Sequence, residues 1–230
     1  MARMNFTYDG IDVDLTLDEK QKKIVGWLKT NTFKEIIWLE FLRDKKIITP
    51  ESIVVDVGSY IGNHVVYFSK ILGAKKVIAF EPTPRVFDIL QENIKNNNLQ
   101  NIEAYNLAVS SKSGYTKCKV RKENNPAKNK WYRTEKYTPE CVQSVTLSKH
   151  VSEKVDFIKI DNEEMEMEAL MGGIELIKKY SPYLMVEVSK ANLGEFETLM
   201  KKLNYNRIGK KTFTLKRGSK INNLLLQRKR

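Results

Sequence analysis

The ten residues Val54-Val55-Asp56-Val57-Gly58-Ser59-Tyr60-Ile61-Gly62-Asn63 constrain this chain more than any other stretch. An apolar run over 53–55 reads as a buried strand. It breaks into a turn at Gly58, and a helical pattern follows, with Ile61, Val65, Phe68, Ile71 and Leu72 on one face. Strand, glycine-bearing turn and helix open a nucleotide-binding α/β unit. Glycine lets backbone approach a ligand closely, and the helix start offers free N–H groups. The spacing is D-x-G-x-x-x-G, not the G-x-G-x-x-G of dinucleotide sites.

A second strand over 76–80 ends at Glu81-Pro82, with Glu81 standing 23 positions after Gly58. Nucleotide folds place an acid at about 20 residues, where it holds the ribose hydroxyls. Asp56, at the end of the first strand, would repel a phosphate but suits the ammonium and sulfonium of S-adenosylmethionine. Asp56 and Glu81 together favour a methyl donor over a dinucleotide as the cofactor.

Strand and helix continue to alternate downstream, which implies an α/β sheet. Val86, Ile89, Leu90 and Ile94 mark a helix with Pro84 in its first turn. Residues 102–109 read as a third strand, 155–160 as a fourth ending at Asp161, and 183–188 as a fifth beside Glu187. A helical stretch over 165–180 is interrupted at Gly172-Gly173; a further helix spans 196–203, and 206–215 can pair with 221–226 as a closing hairpin. Upstream, Asp9-Gly10 between alternating Phe6, Tyr8, Ile11, Val13 and Leu15 signals a hairpin. Two helical patterns follow it, around 24–28 and 36–42, with Trp27 and Trp38 as packing residues. Residues 1–50 therefore read as a hairpin-and-helix unit that covers the cofactor or mediates a homodimer, and 51–230 as the cofactor-binding domain. Within the latter, 117–140 is basic, rich in Asn, and carries Trp131, Tyr132 and Tyr137. It reads as an irregular insertion that contacts the substrate through Trp131 and Tyr132, since aromatic faces suit sugar rings and lysines suit phosphates.

A chain of 230 residues with 41% hydrophobic content supports one domain with a full core. The net charge of +12 permits an anionic partner such as nucleic acid without requiring one, because Lys and Asn are abundant throughout. Cys118 and Cys141 form no C-x-x-C pattern; they flank one segment, either facing each other across a hairpin or as free thiols in a reducing compartment. No apolar run reaches signal-peptide or membrane-span length, so a cytoplasmic protein without a membrane span is expected.

Five pieces in order give the chain from about Ile53 to Val188 its resemblance to the FkbM family of S-adenosylmethionine-dependent methyltransferases. They are Val55-Asp56-Val57-Gly58-Ser59 with Gly62; Phe80-Glu81-Pro82; Asn106-Leu107-Ala108-Val109-Ser110 with Gly114; Asp156-Phe157-Ile158-Lys159-Ile160-Asp161 with Glu163, Glu166 and Gly172; and Pro182-Tyr183-Leu184-Met185-Val186-Glu187. Tyr60, Ser148, Asn162 and Glu164 depart from the family's usual residues. The resemblance implies a doubly wound, Rossmann-like seven-stranded sheet of the class I methyltransferase type, and methylation of a hydroxyl on a small molecule or glycan.

An alcohol is a poor nucleophile until it loses its proton, which a carboxylate, a histidine or a metal-bound group can assist. Asp161 and Glu187, at adjacent strand ends, are the leading catalytic acids, and such a pair can also hold a divalent cation, Mg²⁺ or Mn²⁺. Lys159, two residues before Asp161, lies on the same side of its strand and reads as the charge partner of these acids. His150, in the connection before the fourth strand, is a further catalytic candidate, and Glu163 a substrate contact. Glu166 stands at a helix start, where an acid is stabilised by the dipole. His64, in the first turn after Gly62, reads equally as a surface residue or a substrate contact. The cofactor set is Asp56, Gly58, Ser59 (through its backbone), Tyr60, Gly62, Glu81, Pro82, Asn106 and Ala108. The acceptor reads as a sugar hydroxyl or, alternatively, an RNA ribose. The latter needs a Lys-Asp-Lys-Glu set, for which the helix between Asp161 and Glu187 offers lysines only at its far end, Lys178 and Lys179. A non-catalytic binding module is disfavoured by the intact Asp56, Gly58, Gly62 and Glu81.

Overall fold

A computed structural model describes residues 1–18, 30–119, 130–162, 165–214 and 220–229. The expected helix around 24–28, Glu163 and the middle of the 117–140 segment lie outside these described residues. The chain opens with β1 (Ala2–Tyr8) and β2 (Ile11–Leu17), an antiparallel hairpin. Its turn residues Asp9 and Gly10 both have positive φ (50° and 77°), as the tight two-residue turn requires. Helix α1 (Ile36–Asp44) buries Trp38, Leu39 and Leu42.

The core follows as β3 (Ile53–Val57), α2 (Asn63–Val66) running into a π-helical turn (Tyr67–Ile71), β4 (Lys76–Phe80), α3 (Pro84–Asn96) and β5 (Ile102–Tyr105). Next come β6 (Ala108–Val109), β7 (Gly114–Lys119), β8 (Lys130–Thr134), β9 (Cys141–Val145) and α4 (Leu147–His150). The last part is β10 (Phe157–Ile160), α5 (Glu166–Gly172), α6 (Ile174–Tyr180), β11 (Tyr183–Ser189), α7 (Leu193–Lys202), β12 (Tyr205–Thr214) and β13 (Lys220–Arg228).

Seven strands form one sheet in the order β12-β13-β11-β10-β3-β4-β5. The run from β11 to β5 is parallel, while β13 is antiparallel to both its neighbours. The expected seven-stranded α/β sheet is present, but it is mixed, not strictly doubly wound, because the closing hairpin must reverse the chain. One face packs Val54, Phe157 and Met185 against α1, α2, α3 and the hairpin. The other packs Val55, Ile158 and Val186 against α4, α5, α6 and α7. The hairpin is tied to α3 by two buried asparagines. Asn93 bonds the Thr16 backbone in both directions (2.6 and 3.0 Å), and Asn97 does the same at Asp14 (3.1 and 2.6 Å). These amides stand in for a neighbouring strand, and Asn93 also donates to the Ile61 carbonyl (2.7 Å), linking the hairpin to the glycine turn.

Two expectations need correction. Residues 102–109 are two strands, because the chain leaves the main sheet at Asn106 to satisfy neighbouring carbonyls with its amide, and β6 pairs with β9 instead. The flanks of the 117–140 segment are regular: β7 pairs antiparallel with β8 and with β9, giving a four-stranded sheet in the order β6-β9-β7-β8. Cys141 lies opposite Lys117 and Cys118 opposite Trp131, so the thiols point to opposite faces and neither is in a disulfide.

Candidate active site

The turn after β3 is held by internal bonds. Gly58 (φ 77°) packs so closely on the loop after β10 that a Cβ there would lie 1.9 Å from the Asp161 carbonyl oxygen. The N–H groups of Gly58 and Ser59 donate to the Phe80 carbonyl (2.9 and 3.0 Å). The Ser59 hydroxyl donates to the Asp56 carbonyl (2.8 Å), and the Ser59 carbonyl accepts from Gly62 (2.9 Å). The Ser59 N–H is thus turned toward β4. Gly62 (φ 87°) starts α2 against Leu90.

Glu81 is 6% exposed. Its carboxylate accepts from the N–H groups of Tyr60 (3.0 Å) and Thr83 (2.8 Å), one on each oxygen. Tyr60 adopts positive φ (54°) in presenting that donor. Burial pushes the Glu81 carboxyl up to about 7 even against these two bonds and the Thr83 hydroxyl. With these N–H groups and the Thr83 hydroxyl about it, a carboxylate with about four acceptor sites keeps room for a ribose hydroxyl. The Asn106 amide donates to the carbonyls of Glu81 (2.8 Å) and Pro82 (3.1 Å) and so fixes the loop that carries Glu81. Ala108 is placed differently, buried in β6 opposite Ser144.

Asp56, Lys159 and Asp161 form a charged chain on the α1–α3 face. Register sets Lys159 directly beside Asp56 on adjacent parallel strands. Lys159 Nζ lies 3.1 Å from Asp56 Oδ1 and 3.7 Å from Asp161 Oδ2. Asp56 is fully buried; Lys159 bonds its Oδ1, while Oδ2 has no hydrogen-bond partner among the described residues. Burial would push the Lys159 ammonium down, but Asp56, Asp161 and Glu35 together raise it above its ordinary range, and it stays charged. The same burial pushes the Asp56 carboxyl up against the pull of Lys159.

Asp161 and Glu187 do come together. With Glu35, Lys159, Ile160 and Met185 they line one cleft at the carboxyl ends of β10 and β11. Glu35, just before α1, was not assigned to this site from sequence, and only tertiary placement brings it to the cleft; His64, in α2, read as a surface residue or a substrate contact, is buried beside it. His64 Nε2 is 3.4 Å from Glu35 Oε2. Glu166 is buried behind Asp161, and burial pushes its carboxyl up to about 7.

Other candidates lie apart. His150 packs edge-on against Tyr105 (4.5 Å between centroids) and Phe80 (5.3 Å), on the face opposite Lys159, and burial holds its imidazole below the usual value. Trp131 and Tyr132 are consecutive in β8 and point to opposite faces, so they form no joint platform. Tyr132 is exposed. Among the described residues no group of three or more His, Cys, Asp or Glu is arranged to hold a metal ion.

This arrangement of sheet order, glycine turn and acid-tipped strands matches a known family. Residues 56–207 match the Methyltransferase FkbM domain, more than half of the chain. The chain belongs to the FkbM methyltransferase family. Among solved structures it is similar to Methyltransferase FkbM from Methylobacillus flagellatus, with TM-score 0.59 and 16% identity over 77% of this chain and 44% of that one. The chain thus spans less than half the length of that relative. An rRNA methylase from Streptococcus thermophilus aligns with TM-score 0.54 and 14% identity, over 84% of this chain and 95% of its own. TYW2 from P. horikoshii, solved with MeSAdo, aligns with TM-score 0.51 and 15% identity, over 98% and 70%. At such identities these likenesses establish the class I methyltransferase fold of this FkbM-family chain and nothing finer. No curated protein sequence matches it. Among the described residues no helix is long and apolar enough to cross a membrane.

Proposed function

We propose that this FkbM-family methyltransferase uses S-adenosylmethionine to methylate a hydroxyl of a sugar or glycan. The observation that carries the reading is the cleft that Glu35, Asp161 and Glu187 line together with Lys159. Three of its lining side chains are carboxylates. Such a lining accepts hydrogen bonds from hydroxyls and repels phosphates, which favours a neutral polyol over an RNA backbone. Glu81 supports the cofactor: its buried carboxylate, with the N–H groups of Tyr60 and Thr83 and the Thr83 hydroxyl about it and no ion pair among the described residues, keeps acceptor capacity for a ribose hydroxyl.

Bound S-adenosylmethionine supplies the electrophilic methyl group. The rest falls to the chain. Asp161 is the residue whose carboxylate accepts the proton of the reacting hydroxyl. Lys159, 3.7 Å away, fixes that carboxylate from behind. Glu187, on the neighbouring strand end, holds the acceptor in line. Positioning of this kind supplies much of the rate in a transfer that asks little covalent chemistry of the protein.

Transfer of radiolabelled methyl from S-adenosylmethionine should be screened over a glycan panel and an RNA panel. Label in glycans is expected. Label in RNA alone would overturn the sugar reading, and no label in either panel, with S-adenosylhomocysteine still bound, would overturn both.

A further inference from the structure

Residues 58–60 spend three successive N–H groups at the end of β4. Gly58 and Ser59 donate to the Phe80 carbonyl, and Tyr60 donates to Glu81 Oε2 (3.0 Å). Residues 59–62 form a β-turn, closed by the Gly62 N–H on the Ser59 carbonyl (2.9 Å). Tyr60, its second residue, has positive φ (54°), whereas Ile61, its third, does not. That φ pattern belongs to the type II′ turn, whose second position favours glycine or asparagine. A tyrosine there is strained, because its Cβ crowds the following carbonyl. The turn does not depend on the Tyr60 N–H for its shape. Ser59 is buried with its hydroxyl on the Asp56 carbonyl (2.8 Å), and the Ile61 carbonyl accepts from the Asn93 amide (2.7 Å). Both flanks of Tyr60 are therefore fixed by other bonds. What its N–H does hold is Glu81. The remaining donors to that carboxylate, the N–H and hydroxyl of Thr83, come from one residue on the far side of Pro82. Tyr60 supplies the bond that ties the carboxylate to the glycine turn.

We propose that Tyr60 is a positioning residue for the cofactor: its left-handed backbone aims its N–H at Glu81 Oε2 and so sets how that carboxylate faces the ribose and how tightly S-adenosylmethionine is held. This rests on the cofactor reading above, with the ribose at Glu81. The residue type at position 60 then acts on binding through φ and not through its ring. A residue that resists positive φ turns the N–H away from Oε2, and the carboxylate pivots about the Thr83 bonds. A residue that accepts positive φ leaves the carboxylate where it is.

Tyr60→Asn and Tyr60→Val test this as a pair. Both remove the ring and both are small, but Asn tolerates positive φ and the β-branched Val does not. Calorimetry of S-adenosylhomocysteine binding between pH 6 and 9 separates them. At pH 7.5 Tyr60→Val should bind about tenfold more weakly than Tyr60→Asn, the loss of one hydrogen bond to a charged group. The Tyr60 N–H favours the ionised carboxylate, while Asp56, the charged group acting on Glu81 from β3, opposes it. The midpoint of the pH dependence should therefore move up in Tyr60→Val and stay at the wild-type value in Tyr60→Asn. A purely structural role for Tyr60 would lower the thermal midpoint of the ligand-free variants without moving this profile. Tyr60→Ala serves if Tyr60→Val unfolds, with a smaller effect of the same sign. Equal affinities and equal pH midpoints in folded Tyr60→Asn and Tyr60→Val would overturn the proposal, because the turn would then keep its shape whatever stands at position 60. If Glu81→Gln binds as the wild type does, or the wild type binds no S-adenosylhomocysteine, the cofactor reading itself fails and the role of Tyr60 falls with it.

Discussion

Cofactor binding should be coupled to the ionisation of Glu81, and the size of the effect follows from its burial. The carboxyl is pushed up to about 7 in the ligand-free protein, against an ordinary value of 4.5. The folded state therefore holds a proton there that the unfolded state has lost, so this group's contribution to stability falls as pH rises from 4.5 to about 7. The full swing is about 3 kcal/mol. Ligand binding runs the other way, because a ribose hydroxyl donates best to the ionised form. At pH 6 about one carboxyl in ten is ionised and at pH 8 about nine in ten, so affinity should rise about tenfold across that range. Calorimetry of S-adenosylhomocysteine binding at pH 6, 7 and 8, in buffers of different ionisation enthalpy, measures both the affinity and the protons released. Close to one proton should leave per ligand at pH 6 and almost none at pH 8. Glu81→Gln supplies the control: its amide nitrogen must face the N–H of Tyr60 or of Thr83, and it cannot ionise. The variant should bind weakly with a flat pH profile, which also cancels titration of the ligand's own amino group. Wild-type affinity independent of pH between 6 and 8, or wild-type affinity in Glu81→Gln, would refute the placement of the ribose on Glu81.

Three further outcomes follow from the same geometry. Lys159→Met leaves the fully buried Asp56 without its counter-charge and should cost about 3–5 kcal/mol in denaturant unfolding; a loss under about 1 kcal/mol would mean the buried pair is not formed. Gly58→Ala places a methyl on the Asp161 carbonyl at a positive φ, so it should cost about 2–5 kcal/mol from strain and overpacking and disrupt cofactor binding, both visible in a thermal-shift titration with S-adenosylhomocysteine. Asp161→Asn should bind S-adenosylhomocysteine almost normally yet transfer methyl at least about a hundredfold more slowly in single-turnover kinetics, since Asn cannot accept the proton.

Much of this fold is local enough to read from the residues. The turn at Gly58, the acid at Glu81, Pro84 opening α3, the Asp9-Gly10 hairpin and the break at Gly172-Gly173 each carry their own backbone chemistry. So does the alternation of strand and helix that sets the parallel part of the sheet. What escaped depends on partners far away in sequence. Asp56 at a strand end reads as a ligand for a cation, but its cation is Lys159, 103 residues on and adjacent only through sheet register. Asn106 sits in an apolar strand pattern, yet its amide is drawn to the carbonyls of Glu81 and Pro82 and splits that strand. The basic composition around Trp131 and Tyr132 suggests a loop, whereas cross-strand pairing with Lys117 and Cys118 makes it a sheet. Glu35 looks like an ordinary residue of a helix start until the fold brings it beside Lys159 and Asp161.

The most direct measurement of the methyl-transfer reading uses S-adenosylmethionine carrying a ¹³C methyl, with the product from a glycan panel examined by NMR. The wild-type protein should give a new methyl carbon in the O–CH₃ region, correlated to one sugar position, and Asp161→Asn should give almost none in the same time. A product methyl on nitrogen or carbon, or one formed equally fast by Asp161→Asn, would contradict hydroxyl methylation at the Asp161 cleft.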